Sequence, residues 1–271
     1  MSKVRPRACF QALMGFSNLI FDVSLQAANN ARKKGRFDKA AKDMDTAVKE
    51  ARQPGAPQQA LTLSLLLQGV NYRDWANNGA RDKFVLSERS YLELIRIEQG
   101  VEGRHEQVVR TKRLLGTLYV DWGSTVPAKL VEAERWLGEW LAATEDTDPE
   151  KAEVLFSFGQ VLAAQGRRAE AEKPLTQALA ITDATAGHES LGSAVLHHEL
   201  GNFYWAEKRY EFAIPHLQWA VHIKEKVGGS NDPSLELSLS ALSAVYEEMG
   251  DQGKADEAMK RAMAIGRRVG R

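Results

Sequence analysis

The sequence holds a single cysteine, Cys9, among 271 residues. A lone cysteine excludes an intramolecular disulfide and any metal cluster built on thiolates. It suits a reducing compartment, and we predict a cytoplasmic location. No stretch reaches the roughly 20 continuous apolar residues that a membrane-spanning helix requires. The sequence therefore predicts a chain without a membrane span.

Sequence motifs that carry enzymatic chemistry are missing as well. The chain has no Gly-x-Ser-x-Gly, no phosphate-binding loop and no glycine fingerprint for dinucleotides. Neighbouring carboxylates, such as Glu170 with Glu172 and Glu247 with Glu248, stand among lysines and arginines, and we interpret them as solvated helix faces. We predict that the protein is not an enzyme and that it takes no cofactor.

The charge of the chain has no excess of either sign, with 36 basic and 36 acidic side chains. This balance argues against a general nucleic-acid surface. Residues 1–56 nevertheless carry 11 lysines and arginines against 5 aspartates and glutamates, a local charge of +6. We therefore expect one end of the chain to prefer acidic partners.

The N-terminus has some features of a signal peptide. Lys3, Arg5 and Arg7 precede the weakly apolar run ACFQALMGFSNLIF. Polar residues interrupt this run, so we predict that residues 1–17 form a flexible segment or a first capping helix. The alternative is an exported protein in which residues 1–22 act as a signal.

An internal repeat organises the rest of the chain. Five columns of residues recur at an interval of 42 in the last three copies. The columns are Gly159, Gly201 and Ser243; Leu162, Tyr204 and Tyr246; Ala171, Ala213 and Ala255; Leu175, Leu217 and Met259; and Ala178, Ala220 and Ala262. Looser copies place Gly116 before Tyr119 and Gly69 before Tyr72, and the first copy surrounds Gly35. The chain therefore holds about six copies.

Spacing within one copy predicts a helical hairpin. Intervals of three and four, as from Gly201 to Tyr204 and from Ala213 to Leu217, place residues on one face of a helix. The small residues lie where large side chains would hold the two helices apart. Gly166 is placed to end one helix and open its partner. We predict one solenoid over 18–271, with repeats at roughly 18–54, 58–99, 105–144, 149–184, 190–227 and 233–269.

These columns resemble the tetratricopeptide repeat (TPR), and the interval of 42 is similar to the longer repeats of kinesin light chain-type proteins. The resemblance implies an all-α fold, a right-handed superhelix of about six helical hairpins whose concave groove is lined by the first helix of each hairpin. It also implies a non-catalytic scaffold that binds a peptide or protein segment in that groove. Two alternatives remain open, an assembly protein that self-associates, for example through its C-terminal repeat, and a peptide-sensing regulator.

The family geometry implies a set of groove residues. Arginine grips a carboxylate with two parallel hydrogen bonds, and asparagine pairs with a peptide backbone, so such a set suits an acidic segment or a C-terminal carboxylate. The predicted partner-binding residues are Asn29, Arg32, Arg73, Arg110, Arg113, Gln160, His198, Asn202 and Trp205.

Histidines and tryptophans cluster in the same region without predicting a metal or cofactor site. His197 and His198 are adjacent, and adjacent positions on a helix diverge by about 100°, so they cannot share one ligand face. We predict no metal site. Trp205 is expected to face the groove, and the other tryptophans, including Trp219, are interpreted as core between repeats.

Overall fold

The computed structural model describes residues 25–145, 148, 150–230 and 232–268. The predicted N-terminal segment and the alternative signal over 1–22 lie outside them. Helices account for nearly all of the described chain, which contains no strand. The helices are α1 (25–33), α2 (Phe37–Ala51), α3 (Gln58–Asn77), α4 (Phe84–Gln99), α5 (His105–Gly123), α6 (Leu130–Ala143), α7 (Lys151–Ala164), α8 (Arg168–Ala186), α9 (Leu191–Ala206), α10 (Tyr210–Gly228), α11 (Leu235–Glu248) and α12 (Gln252–Arg268).

The helices follow one another in pairs that pack side by side. α3 packs on α4, α5 on α6, α7 on α8, α9 on α10 and α11 on α12. At the start of the described chain, Leu25 of α1 packs with Ala47 and Ala51 of α2. Each of the repeats predicted from the sequence holds one such pair. The chain divides into two compact units, Met1–Ala143 and Thr144–Arg271, which we call unit 1 and unit 2. A single solenoid over 18–271 stays a prediction.

Glycine allows the two helices of a pair to touch in unit 2. A Cβ atom added to Gly201 would lie 2.5 Å from Leu217 Cγ and 3.3 Å from the carbonyl oxygen of Ala213. The equivalent atom on Gly159 would lie 2.6 Å from the Cγ of its own leucine partner. In the last pair Ser243 takes this place, and its hydroxyl donates to the Ala255 carbonyl over 2.8 Å. The repeated small residues are therefore contact points between paired helices.

The core of unit 2 is built from the same columns. Leu200, Leu217 and Val245 are fully buried, and they join one cluster that runs through α7 to α12. A separate, smaller cluster lies at the end of α12, where Ile265 packs with Leu235 and Leu239. Met263 on the same helix stays exposed. The last helix therefore buries Ile265 and leaves Met263 on the surface.

The turn inside each pair of unit 2 uses one repeated left-handed position. Gly166 and Gly250 have φ angles of +82° and +79°. Lys208 lies midway between them, 42 residues from each, and adopts φ +57°. This conformation is costly for a residue with a Cβ, which explains the two glycines. Lys208 adopts this conformation within the same kind of turn. Its amide donates to the Trp205 carbonyl over 2.8 Å, as the Gly166 amide donates to the Ala163 carbonyl over 3.0 Å.

Candidate partner-binding surface

The first helices of unit 1 are α1, α3 and α5, and ion pairs tie each of them to the next. A guanidinium nitrogen of Arg32 bonds Asp74, and the Arg32 side chain also donates to Asn29 Oδ1. One step further, Arg73 Nε donates to Asp121 Oδ2 over 2.5 Å. We call the side of unit 1 formed by α1, α3 and α5 its first-helix face. Three residues predicted to bind a partner, Asn29, Arg32 and Arg73, thus also hold neighbouring helices together.

Two further arginines of unit 1 lie on α5. The Arg110 side chain is 66% exposed and stands 3.9 Å from Glu106, a loose pair one helical turn away. Arg113 is half-buried. Positions three apart on a helix share a face, so the two guanidinium groups leave α5 on the same side. Arg110 offers the more accessible positive charge of the two.

The first helices of unit 2 are α7, α9 and α11, and we call their side the first-helix face of unit 2. A polar network joins α9 to α11 here. His198 Nε2 lies 3.1 Å from Asn202 Nδ2, and His198 Nδ1 lies 3.1 Å from Ser238 Oγ. Lys224 Nζ of α10 donates to the same Ser238 oxygen over 2.8 Å. His198 and Asn202, both predicted from the sequence, are therefore brought together.

The protonation of this network follows from its geometry. An amide nitrogen can only donate, so Nε2 of His198 accepts from Asn202 and Nδ1 carries the hydrogen that is donated to Ser238. Burial lowers the pKa of His198 to about 4, and the nearby Lys224 charge acts in the same direction. Burial also lowers the pKa of Lys224. His198 is consequently neutral at pH 7 and presents a fixed tautomer.

Gln160 and Trp205 complete the predicted set in unit 2. Gln160 of α7 is exposed, and its side chain hydrogen-bonds Glu199 of α9, whose pKa is raised by burial. Trp205 is half-buried and packs against the core cluster that includes Phe203 and Tyr204. Its ring is therefore shared between the core and the surface. Five of the predicted residues belong to unit 1 and four to unit 2.

A second set of contacts between repeats escaped the sequence reasoning. Each repeated tyrosine bonds a polar side chain on the second helix of the preceding pair. The bonds are Tyr72 to Asp45, Tyr119 to Glu88, Tyr204 to Glu172 and Gln218 to Tyr246. The signal was an acid or amide 27 to 32 residues before each tyrosine. Glu172, interpreted as part of a solvated face, instead bonds Tyr204 and Arg209, and Arg209 lowers its pKa.

Removal of one of these hydroxyls should be measurable. We expect Tyr204→Phe to lower the free energy of unfolding by about 1 kcal/mol, because a half-buried hydrogen bond to a carboxylate is lost. The matched control is Tyr210→Phe, whose hydroxyl bonds Glu248 over 2.7 Å on the exposed surface. That change should cost less than about 0.5 kcal/mol. Urea denaturation followed by circular dichroism compares the two, and equal costs would contradict a structural role for the Tyr204 contact.

Histidine side chains of α9 and α10 also meet. His197 Nδ1 lies 2.9 Å from His216 Nδ1, and the His216 ring stacks on Tyr204 with centroids 5.5 Å apart. The adjacency of His197 and His198 on one helix gives no indication of this pairing, because His216 lies on a different helix. In the described part of the chain no group of three or more histidine, cysteine or acidic side chains is arranged to hold a metal ion. None of the described helices is long and apolar enough to cross a membrane.

The geometry of paired helices with small residues at their contacts can be compared with known families. Residues 192–268 match the family profile described as tetratricopeptide repeat. These are TPR repeats. They cover the last two helix pairs of unit 2. The match confirms the resemblance read from the 42-residue columns.

Solved structures extend the TPR likeness over most of the chain. BtubC (BKLC) from P. vanneervenii is 19% identical, with 92% of each chain covered and a TM-score of 0.69. A kinesin light chain with nearly identical TPR-like repeats from Podosopora anserina is 21% identical, covering 78% of this chain and 98% of its own, with a TM-score of 0.64. The apo form of RapI is 14% identical, covering 93% and 67%, with a TM-score of 0.67. Among curated proteins, none matches the sequence significantly. The all-α TPR solenoid fold is thereby confirmed, and its repeats are similar in fold to those of the kinesin light chain structure.

Proposed function

We propose that this protein is a non-catalytic, cytoplasmic scaffold that binds an extended segment of a partner protein on its first-helix faces. The fold supports the general role, because TPR proteins are protein-interaction scaffolds and no catalytic family is indicated. The single observation that carries the proposal is the Asn202 and His198 pair of unit 2. Its side chains are half-buried, mutually hydrogen-bonded and not required by the repeated packing columns.

Asn202 is suited to bind a peptide backbone. Its amide has two N–H groups and a carbonyl oxygen. Among the described residues it uses one N–H, which donates to His198 Nε2. A second N–H and the oxygen remain available for a partner, and they match the acceptor and donor of a peptide bond. Since His198 is held in turn by Ser238, the amide is fixed in place before a partner arrives.

Exposed apolar side chains occur on both of the helices that this polar network joins, α9 and α11. Val195 of α9 is 49% exposed, and Leu237 of α11 is 69% exposed. The two residues are 42 apart and occupy the same position in successive repeats. Exposed apolar groups beside a backbone-binding amide would contact side chains of the bound segment. We assign peptide binding in unit 2 to this surface.

Unit 1 supplies the positive charge for an acidic segment or a C-terminal carboxylate. Arg32 and Arg73 already pair with Asp74 and Asp121, so their charge is largely neutralised. Arg110 keeps an exposed guanidinium, since its contact with Glu106 is loose. We therefore propose Arg110, together with Arg113 on the same side of α5, as the residues that favour an acidic partner.

Partner capture tests both surfaces. We expect Asn202→Ala to lower capture of a native partner from host extract at least about tenfold, the equivalent of losing a hydrogen bond to a peptide group in a buried interface. The double change Arg110→Ala and Arg113→Ala should lower capture of an acidic partner by a similar factor. Thr176→Ala, on the exposed side of α8, is the control and should leave capture unchanged. Helical circular dichroism must stay the same in all variants, and undiminished capture by Asn202→Ala would overturn the proposal.

A further inference from the structure

A recess opens where the loop between α8 and α9 meets His197 of α9 and Trp219 of α10. Its walls include Asp183, His188, Glu189, His197 and Trp219, and we call it the tryptophan recess. The recess is open to solvent and has a volume of about 790 Å³, which is large enough for a long side chain together with its backbone. All of the wall residues belong to unit 2.

Trp219 departs from the repeat in which it stands. The corresponding residues 42 positions before and after it are Gln177 and Arg261, both polar. The sequence placed Trp219 in the core between repeats, but the structure overturns this, since its side chain is 46% exposed. The indole stacks on the His197 ring, with centroids 6.2 Å apart, and forms an edge-to-face contact with the His222 ring, with centroids 5.2 Å apart. An aromatic surface that the packing does not require is thus held open to solvent.

The recess also contains a carboxylate that is nearly buried. The Asp183 side chain is 14% exposed, with Oδ1 accepting from Ser193 Oγ over 2.7 Å. Oδ2 stands 2.9 Å from His188 Nδ1, but the His188 side chain is 82% exposed. A buried carboxylate is stabilised by a positive charge with good hydrogen-bond geometry, and an exposed imidazole is a weak and displaceable partner. Asp183 is therefore poised to bind a cation.

The second carboxylate of the recess is already neutralised. Glu189 binds Lys226 Nζ over 2.5 Å and stands 3.7 Å from His222 Nε2. Lys226 lowers the pKa of Glu189. Because the ion pair between Glu189 and Lys226 is exposed, Glu189 would add little to the free energy of ligand binding. The anionic group available to a ligand is then Asp183, and the apolar surface is Trp219.

We propose that the tryptophan recess binds an arginine side chain of a partner protein. A guanidinium group is planar, so one face stacks on an indole while its edge donates two parallel hydrogen bonds to a carboxylate. Asp183 accepts those bonds after the exposed His188 ring swings aside, and Trp219 covers the face of the guanidinium. The recess is a second contact point, separate from the first-helix face of unit 2.

The test uses the full chain with its tryptophans labelled with ¹⁵N and follows the indole signals by NMR. Trp219→Phe assigns the Trp219 signal among those of the six tryptophans. The probe is Nα-acetyl-arginine N-methylamide, and the neutral probe of the same shape is the citrulline analogue. We expect the arginine probe to move the Trp219 signal in a saturable way and the citrulline probe to leave it in place.

Two carboxamide variants separate the roles of the carboxylates. Asp183→Asn keeps an acceptor for Ser193, and it should weaken binding of the arginine probe at least about tenfold. Glu189→Gln should weaken it less than about threefold, because Lys226 already neutralises that carboxylate. An equal response to both probes, or undiminished binding by Asp183→Asn with unchanged circular dichroism, would overturn the proposal.

Discussion

Gly201→Ala is expected to destabilise the protein by about 2 kcal/mol, although alanine is the better helix former. The new methyl group would lie 2.5 Å from Leu217 Cγ and 3.3 Å from the Ala213 carbonyl oxygen, and both belong to the packed core of α9 and α10. A leucine tip can shift, but a helix backbone can move only together with its neighbours. The helices of this pair must therefore separate, with loss of contacts along their length.

The matched control is Gly253→Ala in the first turn of α12. An added Cβ there meets nothing closer than Asp251 Oδ1 at 3.9 Å. This variant should be neutral or stabilised by up to about 1 kcal/mol, since it gains helix propensity alone. Thermal and urea unfolding of both variants measures the difference. A stabilised Gly201→Ala would contradict the interpretation of the 42-residue glycine column as a helix contact.

Acidification below about pH 6.5 is expected to weaken unit 2 through its buried histidines. Burial lowers the pKa of His198 and His216 to about 4, and it also lowers the pKa of His197. In the unfolded chain these imidazoles titrate near 6.5. Between these values the unfolded state binds protons that the folded state excludes, so the free energy of unfolding falls as the pH falls.

The expected loss is about 3 kcal/mol between pH 7 and pH 4.5. Two histidines with folded-state pKa values of about 4 would lower the free energy of unfolding by more than this, but partial exposure of their rings reduces the effect. Glu199 acts in the opposite direction, because burial raises its pKa and its protonation favours the folded state. Two neighbouring groups also act on His197. Asp183 raises its pKa, and His188 lowers it.

One substitution isolates the histidine contribution. His216→Phe keeps a ring against Tyr204 and removes a titrating group, so the dependence of stability on pH should become clearly flatter. The control is His222→Phe on the same helix, where the histidine side chain is 56% exposed, and it should leave the slope unchanged. Chemical denaturation at several pH values measures both. An unchanged slope in His216→Phe would show that the buried pair does not control the acid response.

Most of the fold could be predicted from the repeated columns of residues. Their interval of 42 predicted the repeats, and the spacings of three and four within one copy, as from Ala213 to Leu217, predicted the paired helices. Contacts between repeats were harder to predict. The tyrosine bonds to Glu172 and its equivalents join residues about 30 apart, and only a known packing order of the helices makes that separation meaningful.

The predicted site residues divide for a similar reason. Periodicity places a side chain on a helix face, but it does not reveal whether another repeat supplies a counter-charge. Arg32 and Arg73 have such partners in Asp74 and Asp121. Asn202 and His198 were predicted because the repeat does not need them for packing. The prediction that Trp219 is buried in the core was wrong, although a tryptophan in a helical stripe is usually buried. The residues at the equivalent positions of the neighbouring repeats, Gln177 and Arg261, are polar and indicated a surface position.

The most direct test of the proposed scaffold is site-specific photo-crosslinking in host cells. A benzophenone amino acid replaces Val195 on the first-helix face of unit 2, and in a matched protein it replaces Phe212, which is similarly exposed on α10. We predict a discrete adduct from position 195 that disappears when Asn202→Ala is added, and no such adduct from position 212. An adduct from position 195 that survives Asn202→Ala, or an identical adduct from both positions, would contradict segment binding on the first-helix face.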